Sequence, residues 1–399
     1  MNNQSNAWKG KTARFLTAQT VSLFGSSLVQ YAIIWHITLS TSSGAMMTVS
    51  TICGFLPQIL ISLFAGVWID RFDRKKLIML SDSVIALSTL VLAVLFLLGF
   101  QSIWLLFAIL LVRSAGTGVQ TPAVNAFLPQ ITPKEKLIKI NGFLSTANAL
   151  MMLLSPAASG FLLSTVSLEA TFLIDVATAV IGVGITSTIS VPPHVPAKEP
   201  NSHLQEIRDG FFYLKKTPFL KKLLLFQISV LFFVSPSAFL TPLMVSRTFG
   251  PEVWRLTASE MVFSAGAALG GIVIAAWGGL NSRLRTTALA GSAYGALMVA
   301  LGISPVFPLY LIFNFLIGVT MPCYNAPITA AVQETADPAM QGRVFSLMQI
   351  STSCSLPLGM LFFGPLADFV RVQSLLIACG VLVIACTFPI FRSTRKPTS

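Results

Sequence analysis

Twelve long apolar segments follow one another along this chain, each close to the ~20 residues that an α-helix needs to cross a bilayer. A helix satisfies its own backbone hydrogen bonds in lipid, and the chain shows no ten-residue alternating pattern of a membrane barrel. We therefore predict an all-α membrane protein. The predicted helices cover residues 14–38, 45–69, 77–98, 102–127, 140–164, 170–191, 222–246, 258–280, 286–303, 308–332, 344–367 and 372–391.

The composition favours the same class. Of the 399 residues, 54% are apolar and only 10% are charged, whereas ordinary soluble domains carry roughly 25% charged residues. The first apolar segment follows Lys9, Lys11 and Arg14. It is too long for a secretory signal and lacks a small-residue cleavage site, so we interpret it as a retained first helix.

The positive charges are strongly biased to one side. Of the 26 Lys and Arg residues, 22 lie inside if the N-terminus is inside, while Arg247, Arg255 and Arg371 lie outside and Arg113 lies within an apolar segment. Cytoplasmic loops carry such an excess. We predict a multi-pass protein of the bacterial plasma membrane with both termini in the cytoplasm. Contact with anionic lipid explains the net charge of +12 better than nucleic-acid binding does.

A polar stretch divides the chain into halves. We predict a six-helix bundle over residues 1–192, a cytoplasmic linker over 193–221 and a second six-helix bundle over 222–399. Apolar residues recur in the linker at helical spacing, which predicts an amphipathic helix at the membrane surface. These residues are Leu204, Ile207, Phe211 and Leu214.

The two halves echo each other at an offset of 200 positions, in the fourth and tenth predicted helices. Repeated bundles around a site at the membrane midplane are a general plan of secondary transporters, and rocking of one bundle against the other gives alternating access. The matching pairs are Gly118 and Gly318, Pro122 and Pro322, Asn125 and Asn325, and Ala126 and Ala326.

Few ionisable groups interrupt the apolar segments, so each is a candidate for function. Arg113 is the one cation there, and it needs a buried acid or carbonyl as partner. Asp175 and Glu260 are our candidates for proton coupling, because isolated carboxyl groups in such surroundings are suited to exchange protons at physiological pH. The alternatives are a structural ion pair for Arg113 and helix-end hydrogen bonds for the two acids. Asp82 we interpret as structural.

Polar and helix-bending residues supply further candidates. We expect some of the polar side chains to contact substrate, although each is equally suited to an interhelical hydrogen bond: Gln19, Gln30, Asn125, Asn148, Asn314 and Asn325. Glycines and prolines allow close packing and local bends. The positions that we expect to flex are Gly118, Pro122, Pro156, Gly160, Gly318 and Pro322.

The turn at residues 66–76 packs four cations and two acids between two apolar segments. It resembles the most specific signature of the major facilitator superfamily, Gly-x-x-x-Asp-Arg-x-Gly-Arg-Lys. The matching residues are Gly66, Asp70, Arg71, Arg74 and Lys75, with Asp73 in place of the inner glycine.

Two further motifs strengthen this resemblance. Residues 113–118, Arg-Ser-Ala-Gly-Thr-Gly, look like the second signature of that superfamily, and residues 155–160, Ser-Pro-Ala-Ala-Ser-Gly, are similar to its antiporter signature. Residues 70–76, 113–125 and 342–347 resemble more specifically the drug-efflux branch that contains the bacterial macrolide exporters.

The resemblance implies the major facilitator fold, with twelve transmembrane helices in two six-helix bundles. It also implies a part in proton transfer for Arg113. Asp70 lies at a helix C-terminal end, where the dipole disfavours an acid, and the resemblance implies a cation from the eleventh helix as its partner. Arg343 is the candidate for this cytoplasmic gate. The alternative is a solvated turn that only fixes the topology.

These observations together predict a proton-coupled antiporter that exports bulky amphipathic, macrolide-like compounds. The alternative is export of a native metabolite, siderophore or lipid, with drug efflux incidental. An enzyme is not expected, because the three histidines form no catalytic cluster with carboxylates: His36, His194 and His203. A further alternative is a receptor or scaffold that has kept the fold and does not transport. The sequence contains no nucleotide-binding phosphate loop, so transport driven directly by ATP is not expected. We expect a monomer that needs no cofactor or metal and whose partners are small substrates, protons and membrane lipids.

Overall fold

The structure is a computed structural model that describes residues 7–191, 211–337 and 340–393, which form helices and no β-strand. The first half contains six helices. Asp73 caps the third and Ser167 the sixth, each accepting a hydrogen bond from a backbone N–H three residues on. The helices are α1 (Ala7–Thr41), α2 (Gly44–Arg71), α3 (Arg74–Leu97), α4 (Ile103–Ile131), α5 (Leu137–Thr165) and α6 (Leu168–Ser187).

The second half is built in the same way. Residues 211–216 are helical, whereas residues 204–210 of the predicted amphipathic helix lie outside the described part of the chain. The helices that follow are α7 (Pro218–Phe239), α8 (Thr241–Thr248), α9 (Val253–Trp277), α10 (Arg283–Gly302), α11 (Phe307–Thr335), α12 (Gln341–Leu366) and α13 (Val372–Ser393).

One predicted helix needs correction. The segment at 222–246 is not one helix, because it divides at Leu240 into α7 and α8. Pro236 lies inside α7 and Pro242 opens α8. Proline has no N–H to donate, so each of these prolines removes a backbone hydrogen bond near the division, and Pro242 suits the first turn of the helix that begins there.

Ten helical spans among the described residues are long and apolar enough to cross a membrane, one of them covering α7 and α8 together. α10 and the shorter apolar part of α13, Val372–Phe388, account for the other two predicted helices. The prediction of an all-α membrane protein with twelve transmembrane helices is therefore confirmed.

The chain divides into two compact units. The first unit contains Met1–His36 and Cys53–Pro200, and the second contains Ile37–Ile52 and Asn201–Ser399. The end of α1 and the beginning of α2 thus belong to the second unit, although the rest of both helices belongs to the first. This assignment places the α1–α2 junction with the second half of the sequence.

Glycines bring equivalent helix pairs close together in the two units. In the first unit, a Cβ on Gly118 of α4 would lie only 2.8 Å from the carbonyl oxygen of Gln58 in α2. In the second unit, a Cβ on Gly318 of α11 would lie 2.9 Å from the backbone nitrogen of Ala267 in α9. Small residues permit such close helix contacts in membranes. The repeated glycine therefore serves the same packing in each unit.

Candidate functional site

The two buried charges predicted from the sequence meet inside the first unit. Arg113 of α4 forms an ion pair with Asp175 of α6, through Nη1 and Oδ2. Asp175 is fully buried and Arg113 is 5% exposed. A buried acid is therefore the partner that Arg113 required, and the two coupling candidates of the first half form one site.

Helices α1 and α3 complete this site. The hydroxyl groups of Ser26 and Thr89 lie 3.2 Å from Oδ1 and 3.0 Å from Oδ2 of Asp175. Nη2 of Arg113 donates to the backbone oxygen of Ser26 at 3.0 Å, and Nη1 donates to the hydroxyl of Thr89. We call Ser26, Thr89, Arg113 and Asp175 the charged layer, since it links four helices at one depth.

Close packing fixes the charged layer in position. A Cβ on Gly25 of α1 would collide with the hydroxyl of Thr178 and would lie 3.1 Å from Cα of Asp175. A Cβ on Gly116 of α4 would lie 2.7 Å from the side chain of Ile85 in α3. The helices of the charged layer therefore approach so closely that neither glycine leaves space for a side chain.

The basic turn is held by backbone atoms of the first unit. Nη1 of Arg74 donates to the carbonyl of Ala126 at 2.9 Å. Nζ of Lys75 donates to the carbonyls of Ser187 and Ile189 at 2.7 and 2.8 Å, where a cation stabilises the C-terminal end of α6. These two cations therefore join α3 to α4 and α6.

The predicted gate pair stays a prediction, because the side chain of Asp70 lies outside the described residues. Arg71 ends α2 and is exposed. Nη1 of Arg343 lies 3.3 Å from the sulfur of Met340. Asp73, which departs from the signature, has its own role as the cap of α3.

The coupling candidate of the second unit has different surroundings. Glu260 of α9 is half-buried and makes no ion pair with any residue that the structure describes. Beside it, the hydroxyls of Ser259 and Tyr310 lie 2.7 Å apart, and Asn314 donates to the backbone oxygen of Ser259 at 2.7 Å. This polar group ties α9 to α11.

The predicted substrate contacts separate into two groups. Gln19 and Asn314 are buried and hydrogen-bonded to neighbouring helices, so both serve interhelical contacts. Gln30 and Asn325 are half-buried, and Asn125 is exposed. Asn148 lines a cavity.

That cavity lies between α1 and α5 in the first unit. Its volume is about 180 Å³, and it is lined by Leu23, Ser27, Tyr31, Asn148, Met151 and Met152. Methionines adapt their shape to irregular apolar ligands. Because Ser27 adjoins Ser26, neighbouring residues of α1 face the cavity and the charged layer.

The residues expected to flex lie within helices. Pro122 lies inside α4, Pro156 inside α5 and Pro322 inside α11. Pro156 and Gly160 are buried. Gly118 and Gly318 form the tight helix contacts described above.

Sequence reasoning missed an acid in the second unit. Asp368, just after α12, accepts hydrogen bonds from the backbone N–H groups of Gly44 at 2.7 Å and Ala45 at 3.0 Å. It also accepts from the hydroxyl of Ser43 at 2.9 Å and forms an ion pair with Arg247 at 3.2 Å. Asp368 therefore caps α2 from a distant part of the sequence.

Burial opposes ionisation of Asp368, but the hydrogen bonds from Ala45, Gly44, Ser43 and Arg247 outweigh it and lower the pKa of the carboxyl. An acid that follows an apolar segment looks like an ordinary loop residue. Only the three-dimensional structure shows that the N-terminus of α2 lies against it.

The fold and the buried charges define a class of protein, a helical membrane protein with a buried ion pair between its spans. Family membership follows from sequence comparison. A family model described as Major Facilitator Superfamily matches residues 15–355 and 261–399. The chain belongs to the Major Facilitator Superfamily. Membership points to a multi-pass membrane transporter of small molecules and not to an enzyme.

Relatives agree with the resemblance to the drug-efflux branch. Macrolide efflux protein A of Streptococcus pyogenes is 30% identical over 398 residues, covering 98% of each chain. The multidrug efflux pump Tap of Mycolicibacterium fortuitum is 24% identical over 395 residues, covering 94% of each chain. A mutant of the nucleoside transporter NupG has the same fold, with a TM-score of 0.74 at 14% identity, over 98% of this chain and 100% of that one.

Proposed function

We propose that this protein exports bulky amphipathic, macrolide-like compounds across the plasma membrane in exchange for protons, by alternating access. The relatives named for macrolide and multidrug efflux support the substrate class. Proton coupling is supported by the buried ion pair of Arg113 and Asp175, which lies between membrane-spanning helices. A pair at this position responds to one proton with a change in charge.

Proton coupling begins at the carboxylate of Asp175. Ionised Asp175 accepts hydrogen bonds from Ser26, Thr89 and Arg113. A proton on Asp175 removes its negative charge and leaves Arg113 buried without a counter-ion, which is costly in a membrane interior. The four helices must then repack or admit water and lipid headgroups to Arg113. Protonation is thereby converted into helix movement.

Substrate binding acts on the same helix. The cavity beside α1 is smaller than the 300–1,000 Å³ of typical drug-sized sites, so it holds one portion of a bulky ligand. A ligand there presses on Leu23 and Ser27 of α1. Because Ser26 binds both charged partners, drug and proton influence each other through α1.

Glu260 is a second coupling candidate in this proposal. It lies in α9, half-buried, beside the hydrogen-bonded group of Ser259, Tyr310 and Asn314. Each unit would then contain one coupling acid: Asp175, which is paired with Arg113, and Glu260, which forms no ion pair with a described residue.

The pair of Asp70 and Arg343 closes the cytoplasmic side, with Gly66, Arg71, Arg74 and Lys75 shaping the turn. Both termini face the cytoplasm, and the protein acts as a monomer. The 22 cations on one side support this orientation.

The test is transport into proteoliposomes under an imposed proton gradient, with a radiolabelled macrolide as substrate. We expect the parent to accumulate the macrolide and Asp175→Asn to lose gradient-driven accumulation. Glu169→Gln is the matched control, because Glu169 lies at the beginning of the same helix, where its carboxylate accepts a hydrogen bond from exposed Gln101. Full gradient-driven transport by Asp175→Asn would reject this residue as the coupling acid, and no gradient response in the parent would reject antiport.

The same vesicles separate drug export from export of a native compound. A siderophore, lipid or metabolite extract that competes with the macrolide at lower concentration than unlabelled macrolide itself would identify the native compound as the preferred substrate. Absence of such competition favours drug export.

A further inference from the structure

A second polar layer crosses the first unit two helical turns from the charged layer. Gln19 of α1, Asp82 of α3 and Gln120 of α4 each lie seven residues from a member of the charged layer on the same helix, namely Ser26, Thr89 and Arg113. Seven residues are two turns and about 10 Å of helix. We call Gln19, Asp82 and Gln120 the amide layer.

The side chains of the amide layer are joined to one another. Nε2 of Gln120 lies 3.0 Å from Oδ1 of Asp82 and 3.3 Å from Oε1 of Gln19. The hydroxyl of Ser22 also hydrogen-bonds to Asp82. Asp82 is 4% exposed and Gln19 is 8% exposed. The layer is therefore a buried polar site in the membrane-spanning part of the unit.

The amide layer lacks the cation that the charged layer has. No described Lys or Arg forms an ion pair with Asp82, and the charged group that acts on it electrostatically is Asp175. Nε2 of Gln19 has no hydrogen-bond partner among the described residues. The layer thus contains a buried carboxyl without a counter-charge and an unused donor.

Helix α6 packs closely against α1 at this layer. Seven residues after Asp175, α6 carries Gly182, where a Cβ would lie 3.1 Å from the backbone oxygen of Ala18 and 3.2 Å from the side chain of Ser22. The fourth helix thus contributes an acid to the charged layer and no side chain to the amide layer. Since no described Lys or Arg pairs with Asp82, a proton is the group that can neutralise its charge.

Asp82 lies within the first half of α3. α3 begins at Arg74 in the basic turn. Asp82 lies eight residues, about 12 Å, along α3, and Thr89 of the charged layer lies about 22 Å along it. Asp82 is therefore between the charged layer and the basic end of the bundle.

We propose that Asp82 is a second proton-binding carboxyl of the transport cycle, which holds a proton between the charged layer and the basic end of the first unit. This inference rests on the proposed antiport. In each cycle the carboxylate binds one proton to form the carboxylic acid and then releases the same proton, so the net result is proton movement across the membrane. Gln120 and Ser22 position the carboxyl by donating hydrogen bonds to it.

The experiment compares two transport modes of the purified protein in proteoliposomes. Gradient-driven accumulation of a radiolabelled macrolide requires proton movement, whereas exchange of labelled for unlabelled macrolide at equal pH on both sides does not. We expect Asp82→Asn to lose accumulation and to retain exchange, and Asp82→Glu to retain both. A loss of both modes in Asp82→Asn, or of neither, would overturn the assignment.

Infrared difference spectra between acid and alkaline pH give a direct readout that does not require the Asn variant. If Asp82 binds a proton, the parent shows a carbonyl band of a buried carboxylic acid, and Asp82→Glu shifts that band. An unchanged band in folded Asp82→Glu would overturn the proposal. Parent protein that shows no gradient-driven accumulation would instead reject the antiport on which the inference rests.

Discussion

Two adjacent glycines of α9 should respond in opposite ways to the same substitution. Gly270 faces α11, and a Cβ there would lie 2.8 Å from the carbonyl carbon and Cα of Val319 and closer still to its oxygen. A Cβ on Gly271 would meet no atom within 4 Å. We predict that Gly270→Ala destabilises the protein and that Gly271→Ala does not.

The distances give the magnitude. Ordinary contact begins near 3.4 Å, so the two carbon contacts alone require α9 and α11 to separate by about 0.6 Å for the methyl group of Gly270→Ala, and the closer oxygen of Val319 requires more. The obstructing atoms are backbone, which cannot rotate away. Overpacking of this kind costs about 1–3 kcal/mol. Gly271→Ala should leave stability unchanged or raise it by up to about 1 kcal/mol, because alanine loses less chain entropy than glycine in a helix.

The assay is thermal unfolding of the detergent-solubilised protein at one fixed heating rate, followed by the monodisperse fraction in size-exclusion chromatography. Domains of 150–250 residues change their melting temperature by roughly 2–4 °C per kcal/mol, so Gly270→Ala should melt several degrees below the parent. Equal melting temperatures of Gly270→Ala and Gly271→Ala would refute the close packing of α9 on α11.

Substitutions at three further positions test contacts at helix ends. Asp368→Asn should cost about 1 kcal/mol at neutral pH, because an amide nitrogen cannot accept the hydrogen bonds from Ser43 and Ala45 and the negative charge beside Arg247 and the N-terminus of α2 is lost. Since the pKa of Asp368 is lowered below its ordinary 3.8, this stability is complete above that value and is lost as the pH falls through the folded-state pKa, so parent and variant should converge in acid melting curves. Lys75→Gln should weaken the C-terminal turn of α6 by about 0.3–1 kcal/mol, seen as faster amide hydrogen exchange there and unchanged exchange at its N-terminus. Asp73→Ala should cost about 1 kcal/mol and Asp73→Asn very little, because asparagine also caps a helix; equal melting temperatures of the two variants would exclude the cap.

The sequence predicts the helices well because length and hydropathy are local properties. Eleven of the twelve apolar segments fall on single helices, and the exception divides where Pro236 and Pro242 interrupt the hydrogen-bond ladder. The repeat of Gly118 at Gly318 was also recognisable in the sequence, and the tight helix contacts at both positions follow from the lack of a side chain.

The candidate site was predictable only in part. Arg113 and Asp175 stand out as ionisable groups in apolar segments, but their pairing joins residues 62 positions apart. Ser26 and Thr89 resemble many other hydroxyl residues in helices, and no composition signal marks them. The spacing of seven residues between polar positions on α1, α3 and α4 was present in the sequence, yet it acquires meaning only when the three helices are known to be neighbours.

The role of Asp368 depends even more on tertiary structure. Its partners Ser43, Gly44 and Ala45 lie more than 320 positions away. An acid stabilises the N-terminus of any helix that reaches it, and the sequence does not say which helix that is.

The central claim is that the buried ion pair of Arg113 and Asp175 couples the movement of macrolide to the movement of protons. The most direct test is to measure proton movement that is driven by macrolide. Proteoliposomes loaded with macrolide and a pH-sensitive dye, then diluted into drug-free buffer without any proton gradient, should show a pH change in the lumen with the parent and with Glu169→Gln. Asp175→Asn should let the macrolide leave without that pH change. A lumenal pH change of parental size in Asp175→Asn, or none in the parent while macrolide leaves, would contradict the account.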